Sequence, residues 1–404
     1  MQRGYSKNMR QKIEEKADFC LIKKCFRLDN NQLINLSDHF LLLEDLGEFK
    51  GCPLRELNES VYQNHYKSEV YKFKESLIQI GKSVQVLSSI EDLLDLVKNK
   101  KLITDKVLGP YEEEIDYRLS KVSELKSIRD LNYLLNDEDK VLEVFKAKMG
   151  FSAFRKKFEK LALSRNNHSE LYSNTNLALQ SYLNYLDIKA PLTYFETRNK
   201  MIGVHYSTKL SDKLNLGQLS PQTILYFLED FEAKHGANKS TYWIKFELLW
   251  REYFYWLYQY HGEEFFQSNG LNGGEFEISK ISHNDYLSQL NKHPLIKAMH
   301  NELVQTGFLS NRARQIYVSY LVHETELDWR YGAWFFQTYL KDYDLYSNWG
   351  NWLYGSGYGT DARGPRYFKI SKQLAQYDKD FEYIPYWLGL EKKESQSISK
   401  SLSN

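Results

Sequence analysis

Residues 17–160 alternate short apolar runs with longer stretches of helical periodicity. The apolar runs predict strands at 19–24, 39–44, 83–87 and 103–109. Apolar residues spaced three and four apart predict helices over 66–80, 90–99 and 141–163. This alternation favours an α/β fold in which a parallel, Rossmann-like sheet carries helices on both faces. The region has no glycine-rich phosphate-binding motif, so its pattern alone predicts a scaffold domain without a classical nucleotide site.

The chain changes character at a polar stretch, 163–176, which has no hydrophobic periodicity and predicts a linker. Beyond it, apolar positions recur at helical spacing, and the clearest predicted helices are 176–186, 220–236 and 240–260. Ser220 and Ser240 are the predicted N-caps of the last two, with Pro221 in a first helical turn. The predicted order is an α/β domain at 1–162, the linker at 163–176, an all-α domain at 177–390 and a disordered tail at 391–404.

The charge and cysteine content limit which nucleic-acid contacts, metal sites and cellular compartments are expected. The net charge of +1 means that any contact with nucleic acid must come from a local basic patch. Cys20 and Cys25 are separated by four residues, and Cys52 offers no matching pair, which argues against a zinc site. Few cysteines and no signal peptide predict a reducing, cytoplasmic setting, and no apolar run is long enough to span a membrane.

Residues 307–355 contain an unusual mixture of charged, amide and indole side chains. These are Arg312, Arg314, Arg330, Asp328, Asp342, Asp344, Asn348, Asn351, Trp329, Trp334, Trp349 and Trp352. Charges in a core must be paired, and Arg314 with Asp342 is the predicted pair. One interpretation is an aromatic-rich helix bundle with surface ion pairs. The other is a pocket for a large, flat, partly anionic and redox-active ligand.

Six sequence blocks carry a resemblance to a known family. They are 207–221, 240–254, 306–315, 327–336, 342–357 and 366–373. In order and spacing they resemble the flavin-binding core of the photolyase/cryptochrome family, most closely its DASH-type cryptochromes. The resemblance implies an α/β antenna domain followed by an all-α FAD-binding domain. It also implies an antenna chromophore, methenyltetrahydrofolate, although between 34 and 150 the chain matches the family poorly.

The resemblance implies an FAD site made of two groups of residues. Those at the diphosphate are Tyr194, Ser207, Thr208, Lys209, Leu210 and Ser211. Those at the isoalloxazine ring are Arg314, Asp342, Asp344 and Asn348, and Arg251 and Tyr343 are further residues of the flavin pocket. Hydroxyls, backbone N–H groups and a lysine suit a diphosphate, although the turn at 207–211 also fits an ordinary helix cap. In the family pattern, Arg314 faces the negative end of the reduced ring, Asp342 holds Arg314, and Asn348 faces ring N5.

The same resemblance implies a chain of tryptophans that passes electrons to the flavin. Trp352 and Trp329 match its first two members, and Phe276 falls at the usual third tryptophan. Phenylalanine is too hard to oxidise for this role. Either the electron-transfer chain is interrupted, or a nearby aromatic ring replaces its third member. The candidate rings are Trp334, Tyr258 and Tyr260.

The resemblance also implies a cavity for a DNA lesion. Its lining residues are Glu247, Trp250, Asn311, Gln315 and Tyr354, and the arginines near DNA phosphate or the flavin are Arg198, Arg251 and Arg312. An aromatic wall stacks an extruded base, while polar groups read its edge. The (6-4) photolyases carry histidines at the positions of Asn311 and Gln315, which argues against (6-4) repair.

Two functions of different classes agree with these features. The first is a blue-light-driven photolyase that repairs cyclobutane pyrimidine dimers, acts as a monomer and favours single-stranded DNA. The second is a blue-light photoreceptor without repair activity. A helical protein that has lost its flavin is a third, weaker interpretation.

Overall fold

The computed structural model describes residues 16–29, 31–45, 60–128, 132–135, 137–146, 148–164, 176–203, 206–272, 283–325, 327–361 and 364–390. Its contacts separate the chain into two compact units. One consists of Met1–Gly47 with Glu69–Asp130, called here the α/β unit, and the other of Glu48–Ser68 with Leu131–Asn404, called the helical unit. The predicted linker and tail lie largely outside the described residues, and the domain limits stay a prediction.

The α/β unit contains a parallel sheet, as the alternating pattern predicted. Its strands are β1 Phe19–Ile22, β2 His39–Leu43, β3 Ser83–Leu87, β4 Lys101–Asp105 and β5 Glu124–Ile128, in the order β3-β2-β1-β4-β5. In the parallel register, Cys20 of β1 lies opposite Phe40 on one side and Ile103 on the other. The predicted parallel α/β fold is therefore confirmed.

Burial along the strands explains which ones the sequence revealed. The central strand β1 and its neighbour β2 are buried almost continuously, as expected where helices cover both faces. The edge strand β5, with sequence ELKSI, is mostly exposed and was not predicted because it lacks an apolar run. The prediction for β4 was shifted, since the strand is Lys101–Asp105 and not 103–109.

The helices that begin in or cross into the α/β unit are α1 Val61–Gln79, α2 Ile90–Leu96 and α3 Pro110–Val122, with a 3₁₀ turn at Gln32–Asn35. Ser89 caps α2 by accepting from the backbone N–H groups of Glu91 and Asp92. Pro110 occupies the first turn of α3, where its missing N–H has no intrahelical partner to lose. Helices α1 and α2 were predicted, whereas α3 was not.

The helical unit confirms the predicted all-α architecture. Its helices are α4 Glu138–Val144, α5 Phe151–Ala162, α6 Leu177–Asp187, α7 Tyr194–Thr197, α8 Ser211–Asn215, α9 Pro221–His235, α10 Lys239–His261, α11 His283–Leu290, α12 Pro294–Thr306, α13 Asn311–Glu324, α14 Trp329–Tyr339, α15 Leu345–Ser356, α16 Ile370–Tyr377 and α17 Tyr383–Leu388. Short 3₁₀ turns cover Ala190–Thr193, Gly262–Phe266 and Gly270–Asn272. No helix in the described part of the chain combines the length and apolarity needed to cross a membrane.

Helix ends in this unit follow capping chemistry, with two corrections to the predictions. Ser220 caps α9 as predicted, but α10 is capped by Asn238, which forms a capping box with Thr241. Ser240 lies inside the helix and its hydroxyl accepts from the Phe195 N–H at 3.0 Å. The single helix predicted over 141–163 is two helices, because the chain turns out of helical conformation before Gly150, a poor helix former.

Helix α10 is the central element of the helical unit and packs against α5, α9 and α15. Its buried Glu252 carboxylate accepts from the N–H groups of Leu134 and Leu135 at 2.7 and 3.0 Å, and from the Trp256 indole at 2.9 Å. Three donors offset the cost of burying this charge. The segment 132–135 is thereby fixed against α10, next to the residues described below.

Candidate functional site

The predicted pair of Arg314 and Asp342 is present at the start of α13 and before α15. Arg314 Nη2 donates to both Asp342 oxygens, at 2.9 and 2.8 Å, and Arg314 Nε donates to the Leu309 carbonyl at 3.0 Å. Asp342 is buried, whereas a quarter of the Arg314 side chain is exposed. The guanidinium is therefore oriented by a buried acid, and its remaining N–H groups can face an anionic ligand.

A second cation, Lys209, lies near this pair. The backbone of Lys209 is in the left-handed conformation, with φ of 52°. Its ammonium nitrogen is 3.2 Å from the Tyr206 hydroxyl and 3.4 Å from the centroid of the Phe308 ring. Partial burial lowers the pKa of Lys209 to about 8. The lysine still carries charge at neutral pH, so Lys209 and Arg314 together form a positive site suited to a diphosphate.

Buried Glu302 of α12 balances these cations. Burial raises its pKa to about 7, while the Tyr383 hydroxyl bonded to it and the charges of Lys209 and Arg314 act in the opposite direction. Sequence reasoning missed Glu302 and Tyr383, because nothing local marks a helical glutamate as buried. Their position makes the charge of the cation site dependent on pH near neutrality.

The remaining predicted diphosphate residues surround the turn before α8. Ser207 Oγ accepts from the Lys209 N–H at 3.4 Å, buried Leu210 precedes α8, and Ser211 is its first residue. Tyr194 is also buried, but the charges that act on its hydroxyl are those of Glu247 and Arg198. The structure thus places Tyr194 beside residues predicted for the lesion cavity, and its role as a phosphate ligand stays a prediction.

The residues predicted at the flavin ring are held by helix ends and backbone. Asp344 caps α15 by accepting from the Ser347 N–H at 2.8 Å. The Asn348 amide nitrogen donates to the Ala333 carbonyl at 2.9 Å, which fixes the amide against α14. Tyr343 donates to Gln337 at 3.0 Å. A buried acid and a fixed amide agree with hydrogen bonding to a flat polar ring.

Arg251 has a more restricted environment than its two predicted roles require. It donates to the carbonyl oxygens of Asn132 and Leu214 at 2.7 and 3.3 Å, and its guanidinium lies over the Tyr133 ring at 4.6 Å. These contacts fix the segment 132–135 and the end of α8. They show Arg251 bound to backbone, and its predicted roles at the flavin and at DNA stay predictions.

Glu247 and Arg198 form an ion pair in the predicted lesion cavity. Arg198 Nη2 donates to Glu247 Oε1, and the guanidinium lies over the Trp243 ring at 5.7 Å. Burial raises the pKa of Glu247, although Arg198 acts in the opposite direction. About a third of the Glu247 side chain is exposed, so the carboxyl can reach a ligand while Arg198 orients it.

Trp250 follows Glu247 by one helical turn, on the same face of α10. One face of its indole is stacked on Phe151, with ring centroids 3.6 Å apart and planes at 9°, and Tyr354 approaches edge-on at 5.1 Å. Phe151 is buried, whereas Trp250 is half-buried. The face of Trp250 that Phe151 covers is therefore closed to a ligand base. Sequence reasoning missed Phe151, which was assigned to the antenna domain.

Helix α13 presents the polar residues predicted to read a base. Arg312 donates to Asn199 at 3.1 Å, and its guanidinium lies 4.9 Å from the Tyr377 ring. Asn311 is the first residue of α13 and is half-buried. Gln315 Oε1 and Trp352 Nε1 are buried polar atoms with no hydrogen-bond partner among the described residues. An orphaned acceptor and donor are expected where a bound group completes the structure, so these residues fit a ligand.

The two predicted electron-transfer tryptophans lie on neighbouring helices. Trp352 packs against α14 at Gly332, where a Cβ atom would stand 1.9 Å from the indole, so only glycine fits there. Trp329 is one turn earlier on the same face of α14. Its indole donates to the Ser268 carbonyl at 3.0 Å, and its ring neighbours are Trp349 and Tyr358. Phe276 lies outside the described residues.

Comparison with known proteins agrees with this geometry. Residues 243–402 match a family model described as the FAD binding domain of DNA photolyase. Cryptochrome DASH of Vibrio parahaemolyticus is 45% identical over 208 residues, which are 51% of this chain and 47% of that protein. The crystal structure of Synechocystis cryptochrome aligns with a TM-score of 0.81 at 26% identity, over 95% of this chain and 94% of that one. Residues 243–402 thus belong to the FAD-binding domain family of DNA photolyases.

The matches to curated relatives cover only part of this chain and part of each relative. Cryptochrome DASH of Synechocystis is 44% identical over 197 residues, 48% of this chain and 40% of that protein. The chain thus matches about half of the length, or less, of these curated relatives. A class III photolyase from Agrobacterium tumefaciens aligns with a TM-score of 0.74 at 19% identity and shows a shared fold. The matched residues 243–402 lie in the helical unit, which also contains the cation site and the tryptophans.

Proposed function

We propose that this protein is an FAD-dependent, blue-light-driven DNA photolyase of the DASH type, which repairs cyclobutane pyrimidine dimers by electron transfer. One observation carries the proposal. Glu247 and Trp250 lie one helical turn apart on one face of α10, and Tyr354 stands edge-on to the indole. An acid, a stacking surface and a second aromatic ring form a pocket suited to a pair of extruded bases.

The cofactor half of the proposal rests on the positive site. Lys209 and Arg314 would hold the diphosphate and the electron-rich edge of FAD, and Asp342 keeps Arg314 in place. Asn348, fixed to Ala333, would meet the ring with an amide that does not readily give up a proton. Bound FAD supplies, under blue light, the electron that splits the dimer.

At the lesion, the residues of this chain would bind and stabilise the substrate. Trp250 would stack on one base, which contributes roughly 1–3 kcal/mol. When Glu247 is protonated, which its raised pKa favours, its carboxyl can donate a hydrogen bond to a carbonyl oxygen of the dimer and stabilise the radical anion that forms there. Arg198 would keep the carboxyl oriented during this step.

The expected preference for unpaired DNA follows from charge. A net charge of +1 provides little long-range attraction for duplex DNA. Flipping bases out of a duplex costs a few kcal/mol, whereas a dimer in a single strand largely avoids that cost. Arg312 and Arg198 are the cations expected to contact phosphate near the lesion. The monomeric state and an antenna chromophore in the α/β unit stay predictions.

The experiment compares repair of the same dimer in single-stranded and duplex oligonucleotides under blue light. The protein is first loaded with FAD and chemically reduced. We expect repair of both substrates, with faster repair of the single strand at limiting protein. Equal rates would contradict the strand preference, and no repair of either substrate by FAD-loaded, reduced protein would contradict the photolyase proposal.

One observation favours a second candidate, a blue-light photoreceptor without repair. The Glu247 carboxylate is already bonded to Arg198, so the residue proposed to act on the dimer has a protein partner. In a photoreceptor this ion pair would simply close the cavity. FAD-loaded protein that changes its flavin spectrum in light but binds no dimer would support this candidate.

A further inference from the structure

Tyr358 lies against the second tryptophan of the proposed electron-transfer chain. The ring centroids of Trp329 and Tyr358 are 6.2 Å apart, and their planes meet at 25°. Trp329 is the first residue of α14, and Tyr358 follows the end of α15. Two nearly parallel rings at this distance provide a short path for an electron.

One turn of the chain fixes both rings. The Ser268 carbonyl accepts from the Trp329 indole at 3.0 Å, and the Leu271 N–H donates to the Tyr358 carbonyl at 2.8 Å. Gly270 between them has φ of 52°, and a Cβ atom there would stand 2.6 Å from the Tyr358 carbonyl oxygen. The spacing of the two rings is therefore set by backbone contacts and not by side-chain packing alone.

Tyr358 also differs from Trp329 in its access to solvent. Trp329 is 1% exposed, whereas Tyr358 is half-buried. Burial raises the pKa of Tyr358, and the nearby Asp328 acts in the same direction, so the ring is a neutral phenol before any oxidation. A phenol that loses an electron also loses its proton, and a partly exposed ring can release that proton to water.

The other oxidisable rings near Trp329 are less suited to the end of the path. Trp349, 5.7 Å from Trp329, is 0% exposed. Trp334 is 7% exposed and has the Arg330 guanidinium 5.5 Å from its ring, and a positive charge disfavours oxidation. Tyr260, which is exposed, packs against Phe145 and His261.

We propose that Tyr358 is the terminal electron donor of this protein, taking the place of the third tryptophan. This assignment rests on the proposed function, in which light-excited FAD is the oxidant and Trp352 is its immediate donor. Trp352 is refilled by one electron from Trp329. The Trp329 radical cation then takes one electron from the Tyr358 phenol and returns to its closed-shell form. Tyr358 loses its proton to water and remains as a neutral phenoxyl radical.

The proposal agrees with the one departure from the family pattern along this path. The resemblance places Phe276, which cannot be oxidised, where a third tryptophan is usual. Tyr358 reaches Trp329 from a different segment, so its contact does not depend on residue 276. Of the replacement rings suggested by the sequence, Trp334 is the rival that the structure leaves closest to the path.

The experiment uses FAD-loaded, oxidised protein and follows radicals by electron paramagnetic resonance and transient absorption after a light flash. Wild-type protein is expected to show a phenoxyl signal, which changes when the tyrosines carry deuterium. In Tyr358→Phe this signal should disappear, the indole radical should recombine, and the yield of lasting flavin reduction should fall several-fold. Tyr358→Trp should restore the yield with an indole signal in place of the phenoxyl signal.

Two controls separate this inference from general effects. Tyr386→Phe removes a more exposed tyrosine and should change nothing, while Trp334→Phe tests the rival ring. An unchanged phenoxyl signal and reduction yield in Tyr358→Phe, or the same losses in Trp334→Phe, would overturn the assignment. So would the absence of any phenoxyl radical in wild-type protein.

A separate assay distinguishes failure of the donor assignment from failure of the proposed function. Chemically reduced protein needs no internal donor, so reduced Tyr358→Phe should repair dimers at the wild-type rate. If neither protein repairs dimers but the phenoxyl signal depends on Tyr358, the donor assignment stands without the photolyase. If both repair dimers and the signal ignores Tyr358, the photolyase stands without this donor.

Discussion

The α/β unit and the helical unit both bury charged side chains, but they surround them differently. Between β1 and β4, where sheets of this strand order usually bind ligands, the buried Lys23 ammonium donates to Asp116 at 2.7 Å. Asp105 accepts from the backbone N–H groups of Lys23 and Lys24, each at 2.7 Å. The charged groups at this point of the sheet are thus bonded to other groups of the protein.

The helical unit pairs Arg314 with Asp342 as tightly, yet leaves other buried polar atoms open. Gln315 Oε1 and Trp352 Nε1 have no hydrogen-bond partner within the described residues. Buried polar groups are normally satisfied, so each of these two atoms can form a hydrogen bond with a bound group. We infer that the paired charges of the α/β unit serve the fold, whereas Arg314 with Asp342 serves the proposed FAD site.

The largest effect that would sharpen this comparison is expected from Asp116→Ala. It removes the Asp116 carboxylate from the buried Lys23 ammonium, and the loss of a buried pair of this kind costs about 3 kcal/mol. Urea unfolding should show the loss of stability, and hydrogen exchange should locate it in the α/β unit. The double variant Lys23→Met/Asp116→Leu should recover most of it. Weaker FAD binding in Asp116→Ala would break the distinction between the units.

Arg314→Met is expected to lower the affinity for FAD by about 10- to 100-fold, since charge-assisted hydrogen bonds contribute roughly 1.5–3 kcal/mol. The affinity is measured by fluorescence titration of the apoprotein with FAD. The matched control is Arg330→Met, which breaks a comparable bonded pair with Asp328 on the same unit. That control should lower stability and leave FAD affinity nearly unchanged. Equal losses in both variants would mean that Arg314 acts through the fold.

Trp250→Ala should weaken binding of a dimer-containing single strand by about 5- to 100-fold, from the loss of base stacking. Phe151→Leu keeps the volume behind the indole but removes its stacking partner, and a smaller, several-fold loss is expected. Binding is measured by fluorescence anisotropy in the dark. If Phe151→Leu improves binding, a base stacks on the face that Phe151 now covers.

Glu247→Ala should instead lower the repair yield more than the binding.

The smallest expected effect is the pH dependence of the affinity for FAD. Glu302 has a pKa of about 7, and its ionisation adds negative charge beside Lys209 and Arg314. Binding of the FAD diphosphate therefore favours protonated Glu302, and the affinity should fall several-fold as pH rises from 6 to 8. Titrations of Glu302→Gln should show a flatter dependence. If the affinity of Glu302→Gln falls as steeply with pH as that of the wild type, the effect belongs to Lys209. Lys209, with a pKa of about 8, loses positive charge over the same pH range, which also weakens binding.

Local patterns predicted much of the fold, and their failures have physical reasons. Continuous apolar runs identified β1 and β2 because both faces of those strands are buried. The polar edge strand β5 has no such run, and the break before α5 depends on how Gly150 and its neighbours pack. Edges and breaks are set by tertiary contacts that a short window of sequence does not contain.

The candidate site was predictable where one segment supplied its residues. Arg314 and Asp342 stood out because a core that serves packing alone seldom places paired charges among indole rings. Phe151 was missed because it reaches the site from a segment distant in sequence. Glu302 and Tyr358 were missed because no local motif marks them. What the fold brings together from separate segments could be found only in the structure.

The most direct test of the central claim uses ultraviolet-irradiated oligothymidylate and FAD-loaded, chemically reduced protein. Dimer formation removes the ultraviolet absorbance of the bases, and splitting restores it. We predict that absorbance returns under blue light, stays constant in the dark, and returns much more slowly with Glu247→Ala. No recovery in light, with FAD bound and reduced, would contradict the claim that the helical unit is a dimer-repair site.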